Sequence, residues 1–162
     1  MKFRPLFLFA LVVLIISISG CKPNPAALMT AVKADNTEEA RKLIEKGADP
    51  NSRTSPTGWS ALHYAARNGN VEIVSLLLKA GADPNYSGTM EGQTGTVVSL
   101  QPLLLAQATL DLVKQIPVAD MQETLHQIGL DDPALLKSMK DPDAAVRYQK
   151  VVDALTPVTT KK

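Results

Sequence analysis

The chain has 162 residues and a formal net charge of +1, because 17 basic side chains nearly balance 16 acidic ones. This balance excludes the large electrostatic footprint of a nucleic-acid-binding protein. The length is enough for one small domain. The single cysteine excludes a disulfide bond within the chain.

The first 20 residues predict a signal peptide that is not part of the fold. Lys2 and Arg4 give a positive start, and an apolar run extends from Leu6 to Ile18. This run is shorter than the roughly 20 residues that a transmembrane helix needs, and its length is typical of a secretory signal peptide.

The segment Ile18–Cys21, with the sequence Ile-Ser-Gly-Cys, resembles a bacterial lipobox. The resemblance implies cleavage before Cys21 and acylation, for example with palmitate, of its thiol and its new amino group. Several acyl chains give a stable membrane anchor, since each buried CH₂ contributes about 0.8 kcal/mol. Lys22 is not the aspartate that retains such proteins in the inner membrane, so the resemblance implies the outer membrane, facing the periplasm. The alternative is an ordinary secretory peptide with a chance cysteine.

Residues 58–85 predict two short helices, one after the other. The sequence Asn-Gly-Asn at 68–70 ends the first helix, and Asn70 is a good N-cap for the second. The second helix has a broad apolar face, formed by Val71, Ile73, Val74, Leu76, Leu77 and Leu78. Gly81 supplies the left-handed residue that ends this helix. A helix pair with this much apolar surface needs neighbours of its own kind.

These neighbours are visible as a repeat. The sequence Gly-Ala-Asp-Pro-Asn at 47–51 returns at 81–85, 34 residues later. A period of about 33 residues with paired helices is the signature of ankyrin arrays. The segment Ser60–Ala66 resembles the Thr-Pro-Leu-His-x-Ala-Ala signature of the ankyrin-repeat family. The resemblance implies an all-α fold, a short ankyrin-repeat solenoid of helix-turn-helix repeats with finger loops.

The same reasoning divides the chain into segments. The first repeat starts with Asn24 as a cap before Pro25, and its second helix starts after Asn36. Gly47 ends that second helix. The predicted segments are a signal peptide (1–20), a tether (21–24), ankyrin repeats (25–57, 58–91 and a degenerate 100–117), a C-terminal helical cap (118–156) and a tail (157–162).

The pattern loosens after Asn85. The segment Tyr86–Ser99 is rich in glycine and threonine and predicts a loop that is longer than the family's standard finger. Within 100–117, a first helix resembles that of the second repeat, with Leu104 at the position of the signature histidine. We expect a shortened turn and then a second helix over Leu110–Ile116.

The remainder predicts helices that cover the open end of the solenoid. A helix over Ala119–Ile128 is closed by Gly129, and two Asp-Pro pairs predict helix starts near Ala134 and Asp143. The last helix carries one apolar stripe: Ala144, Tyr148, Val151, Val152 and Leu155. The segment Leu136–Arg147 also resembles, faintly, a HEAT-type unit.

Enzyme chemistry has little support in this sequence. The two histidines, His63 and His126, have no second ligand at metal spacing, so we expect no metal, no cofactor and no small-molecule substrate. The family resemblance implies a structural role for His63, which would tie the start of its helix to the backbone of a neighbouring turn. Asp49 and Asp83 recur at turn positions, which favours local hydrogen bonds. The chain is predicted not to be an enzyme.

Binding to a protein partner is the leading interpretation, because ankyrin arrays use their finger tips and inner helices as an extended surface. The family pattern implies that the side chain of Trp59 is exposed, and tryptophan and arginine are enriched among interface hot spots. The alternative is that Trp59 packs on Tyr86 or on the next finger. The predicted partner-binding residues are Arg53, Thr57, Trp59, Arg67 and Asn68.

Three functions remain open. The first is a membrane-tethered ankyrin-repeat lipoprotein that binds a protein partner in the bacterial cell envelope. The second is an immunity or inhibitor protein, because small ankyrin lipoproteins resemble the partners that neutralise secreted toxic enzymes such as lipases. The third is a structural envelope protein without a specific ligand.

Overall fold

The structure is a computed structural model that describes residues 23–53, 58–91, 97–127 and 132–159. The predicted signal peptide, Cys21 and Thr57 lie outside these ranges. In the described part of the chain the helices are α1 (Pro25–Lys33), α2 (Thr37–Glu45), α3 (Ala61–Arg67), α4 (Val71–Lys79), α5 (Pro102–Gln115), α6 (Met121–Gln127), α7 (Pro133–Met139) and α8 (Ala144–Thr159), and the strands are β1 (Gly88–Glu91) and β2 (Val97–Leu100).

The helices form two layers. Helices α1, α3 and α5 pack side by side in one layer, which we call the inner layer. Helices α2, α4 and α8 form the second, outer layer, and each packs on one inner helix: α2 on α1, α4 on α3 and α8 on α5. The predicted solenoid of paired helices is confirmed, with three inner and three outer helices among the described residues.

Local sequence signals set the ends of the first two helix pairs. The side chain of Asn36 accepts a hydrogen bond from the Glu39 amide, and that of Asn70 accepts one from Ile73. Gly47 and Gly81 have φ angles of +81° and +91°, as expected of the left-handed residues that end α2 and α4. These helix starts and ends are therefore confirmed.

The core lies between the two layers, and the small-residue face of α3 allows the helices to approach closely. Ala65 and Ala66 on α3 have no exposed surface, and neither do Ile73 and Leu77 on α4. Burial of one leucine side chain stabilises the fold by roughly 1.5–3 kcal/mol. Each helix pair thus depends on the adjacent pair for its core.

The third helix pair differs from the prediction. The expected turn within 100–117 is absent, because α5 is one unbroken helix over Pro102–Gln115. This segment has no counterpart of the Asn-Gly-Asn turn at 68–70, so nothing in it stops the helix. The outer helix of this pair is instead α8, which comes from the end of the chain and packs on both α4 and α5.

The apolar stripe predicted for the last helix is confirmed, since all five of its side chains are buried. Helix α8 begins at Ala144, one residue after the expected start, and runs past residue 156 to Thr159, with Pro157 inside it. Helix α7 begins at Pro133, where the Asp132 side chain accepts hydrogen bonds from two backbone amides. Helix α8 at the end of the chain therefore completes the third helix pair of the solenoid.

The segment expected to be a loop contains a small antiparallel sheet. Strand β1 pairs with β2, and Gly88 lies opposite Leu100. β-branched residues at 89, 97 and 98 favour the extended backbone. The predicted helical repeat fold is confirmed, and one two-stranded sheet lies beside its inner layer in the described part of the chain.

Candidate partner-binding surface

Four rings form a continuous row that links α3 to the sheet. The ring centroid of Trp59 lies 5.1 Å from that of Tyr64 and 5.8 Å from that of His63. The His63 ring in turn lies 5.9 Å from Tyr86, edge to face. Separations of this size are favourable for ring pairs. We call these four residues the aromatic row.

Trp59 is inside the protein, so the expectation that its side chain is exposed is wrong. Only 4% of the residue is exposed. Its indole Nε1 donates a hydrogen bond of 2.9 Å to the Thr89 carbonyl oxygen on β1. Gly88 lies so close that an added Cβ would be 2.6 Å from Cδ1 of the indole. Strand β1 covers the ring, which confirms the alternative that Trp59 packs on the next finger.

His63 has the structural role that the family resemblance implies. Its Nδ1 accepts a hydrogen bond of 3.2 Å from the Ser60 amide, and its Nε2 donates one of 2.9 Å to the Leu100 carbonyl oxygen on β2. Burial lowers the pKa of His63 below its ordinary value, although the bond to Leu100 acts in the opposite direction. A neutral imidazole therefore joins the start of α3 to the sheet.

Cations lie over the rings of the aromatic row. The Lys33 Nζ is 4.7 Å from the centre of the Tyr64 ring, and the Arg53 guanidinium carbon is 3.9 Å from that of Tyr86. The Arg67 guanidinium carbon lies 5.2 Å from the Tyr64 ring. All three distances are within the range of attractive cation–π contacts. The inner layer thus carries positive charges held against tyrosine faces.

Arg67 is buried, and its guanidinium forms an ion pair within the chain, although its Nε has no hydrogen-bond partner among the described residues. Its guanidinium donates to the carboxylate of Asp132, at the start of α7, and only 7% of the arginine is exposed. Burial alone would raise the pKa of Asp132, but the Arg67 charge and the backbone amides of Leu135 and Ala134 lower it below its ordinary value. This arginine is therefore occupied by the C-terminal segment.

Asn68 is also buried beneath the C-terminal helices. Its Nδ2 donates to the Val32 carbonyl oxygen over 3.3 Å, and its backbone oxygen accepts a hydrogen bond from the Ser138 hydroxyl. Beside it, the Tyr148 hydroxyl donates to the Arg67 carbonyl oxygen over 2.7 Å. Burial raises the pKa of Tyr148 to about 12. The expected exposure of Arg67 and Asn68 is thus wrong, because α7 and α8 cover the turn between α3 and α4.

Other residues on or beside the inner helices are more accessible. Arg53 is exposed as predicted, and so is Lys33, while the rings of Tyr64 and Tyr86 are half-buried. Leu104 of α5 is 49% exposed. Sequence reasoning missed Lys33 and the two tyrosines as surface residues. For the tyrosines, the sequence did offer a signal, because aromatic residues are scarce and only four of them follow residue 20.

Other candidate chemistry has local explanations. The Asp49 and Asp83 carboxylates accept hydrogen bonds from the amides of Asn51 and Asn85, which confirms their predicted turn role. Within the described ranges, no group of three or more histidine, cysteine, aspartate or glutamate side chains is placed to hold a metal ion.

Comparison with known protein families gives a match in the N-terminal half of the chain. A family model described as Ankyrin repeats (3 copies) matches residues 8–87. The matched range starts within the predicted signal peptide, includes both regular helix pairs and ends just before β1. A search of curated proteins finds no match.

Proposed function

We propose that this chain binds a protein partner in the bacterial cell envelope while a lipid on Cys21 tethers it to the membrane. The chain carries ankyrin repeats, which imply a protein–protein interaction module. The observation that carries the proposal is a set of exposed residues on the inner helices and the finger between them. Lys33, Arg53 and Leu104 are exposed there, on or beside three consecutive inner helices. Extended surfaces of this kind are what repeat proteins use for binding.

The tether is supported by the N-terminal sequence. Cys21 is the single cysteine and follows a positive start, an apolar run and two small residues. Within the described residues no helix is long and apolar enough to span a bilayer. Four residues from Cys21 to Pro25 reach at most about 14 Å. A lipid on Cys21 would therefore hold the repeats close to the membrane, where we propose an outer-membrane location facing the periplasm.

Metabolic labelling with a fatty acid tests the tether. The wild-type chain is expected to incorporate the label and to sediment with the outer membrane, whereas Cys21→Ser is expected to lose the label. Label retained by Cys21→Ser would refute lipidation at this residue. Label on a wild-type chain found in the inner membrane would refute only the proposed location.

Affinity capture with matched variants tests the binding surface. Leu104→Asp introduces a charge on the inner layer, and Val146→Asp makes the same change on α8 in the outer layer, where Val146 is 55% exposed. Both side chains are accessible, so both variants should fold. We expect Leu104→Asp to weaken capture at least about fivefold, as for a residue that contributes 1 kcal/mol to an interface.

The control should capture as much partner as the wild-type chain. Equal capture by both variants would place the interface elsewhere, and capture of nothing by the wild-type chain would refute the proposed binding function. Capture of a secreted enzyme, such as a lipase, would assign the inhibitor role instead of a scaffold role.

A further inference from the structure

Acidic residues are segregated between the two layers of the first two repeats, whereas basic residues occur in both layers. Helices α1 and α3 contain no aspartate or glutamate, and their charged residues are Lys33 and Arg67. The finger adds Arg53 to the same side. The outer helices α2 and α4 instead carry all the glutamates of these four helices: Glu38, Glu39, Glu45 and Glu72. The next inner helix, α5, carries one acidic residue, Asp111.

Two of the inner cations lack an acidic partner. Among the described residues, no carboxylate lies within ion-pair distance of Lys33 or Arg53, although both side chains are exposed. The outer-layer cation Arg41, by contrast, pairs with Glu72 on the next outer helix. The tyrosine rings beneath Lys33 and Arg53 restrict the movement of these two side chains but do not neutralise their charge.

The buried Arg67 gives an internal example of a carboxylate bound beside the inner helices. The carboxylate that pairs with Arg67 comes from Asp132, in a distant part of the chain. Arginine suits this contact because its planar guanidinium presents several N–H donors in a fixed arrangement to a carboxylate. The protein therefore already holds one carboxylate against the inner side of the second repeat.

We infer that the protein partner presents a carboxylate-rich segment to the inner side of the first two repeats, where Lys33 and Arg53 bind its acidic side chains. This inference rests on the proposed function and specifies its partner. The stacked Arg53 guanidinium keeps its N–H groups available for a carboxylate. The near-neutral chain as a whole favours a local acidic segment over a nucleic acid, whose binding requires an extended basic surface.

A fluorescent peptide of ten glutamates is the probe for this inference. The full chain, in a nonionic detergent, is titrated into the peptide and binding is followed by fluorescence anisotropy. A peptide of ten glutamines controls for backbone contacts, and a ten-nucleotide single-stranded DNA tests recognition of phosphate. We expect the glutamate peptide to bind more tightly than both, with an affinity that falls as the salt concentration rises.

Two double variants with the same change in net charge locate the site. Lys33→Gln with Arg53→Gln should weaken peptide binding about fivefold, because two exposed ion pairs are lost. Lys42→Gln with Lys79→Gln removes two exposed charges from the outer layer and should leave the affinity within about twofold of wild type. Circular dichroism confirms that both variants fold.

Several results would overturn the inference. These are no binding of the glutamate peptide, equal binding of the glutamine peptide, equal weakening by the two double variants, or tighter binding of the DNA. The proposed function has a separate readout. If the wild-type chain captures a partner but does not bind the glutamate peptide, only the acidic recognition fails. If the peptide binds but capture is empty, the proposed function fails instead.

Discussion

The contact between the second repeat and α8 can be tested by adding one methyl group. Gly69 lies in the turn between α3 and α4 with a φ angle of +69°, and the ring of Tyr148 covers it. In Gly69→Ala the new Cβ would lie 2.9 Å from Cε1 of Tyr148. The ring has no room to move, because it has no exposed surface and its hydroxyl is bonded to the Arg67 carbonyl oxygen.

Two costs add at this position. A non-glycine residue in the left-handed region lowers the free energy of unfolding by about 1–2 kcal/mol. Overpacking of a buried site lowers it by about 1–3 kcal/mol. Gly69→Ala should therefore lower the free energy of unfolding by about 2–5 kcal/mol. Gly47→Ala is the matched control, because Gly47 has a φ of +81° but no atom within 4 Å of an added Cβ. Gly47→Ala should lower the free energy of unfolding only by the backbone contribution of about 1–2 kcal/mol.

Thermal unfolding of the full chain in nonionic detergent, followed by circular dichroism, measures the difference. Each kcal/mol should lower the midpoint by roughly 3–5 °C for a domain of this size. In a Tyr148→Leu background the ring is gone, and the loss caused by Gly69→Ala should fall to that of Gly47→Ala. Equal losses at Gly69 and Gly47 in the otherwise wild-type chain would refute the packing of α8 on this turn.

The remaining predictions concern the core, the aromatic row and pH. Leu77→Ala should lower the free energy of unfolding by about 2–5 kcal/mol, since Leu77 is fully buried, and an unchanged thermal midpoint would contradict this. Trp59→Ala should lower the free energy of unfolding by about 3–5 kcal/mol, and the same thermal melt measures this loss. Acidification from pH 7.5 to 5 should destabilise the fold. The pKa of His63 is lower in the folded state than its ordinary value of 6.5, and the unfolded chain therefore binds more protons in this range. Melts at several pH values should show this dependence in His126→Gln but not in His63→Gln.

The local elements of the fold were predictable because residues close in sequence determine them. Asn70 caps α4 through an amide three residues away, and Gly81 ends the same helix through its own backbone conformation. The apolar stripe of α8 was also readable, since its spacing follows the helical period. The repeat at 47–51 and 81–85 then predicted the arrangement of the first two helix pairs.

The third pair could not be predicted in the same way. Its inner helix α5 and its outer helix α8 are separated by the segment that contains α6 and α7, so no local turn signal connects them. Only packing shows that Tyr148 occupies the space above the turn between α3 and α4. A sequence pattern that assumes contiguous helix pairs assigns the outer helix to Leu110–Ile116 instead.

The same long-range packing changes which residues are available to a partner. The family pattern implies that Trp59, Arg67 and Asn68 face a partner, but it carries no information on what covers them. Strand β1 occupies Trp59, and the C-terminal segment occupies the other two. Substitutions at these three positions therefore report on stability as well as on binding. The accessible cations Lys33 and Arg53 separate the two effects, because each can lose its charge without opening the core.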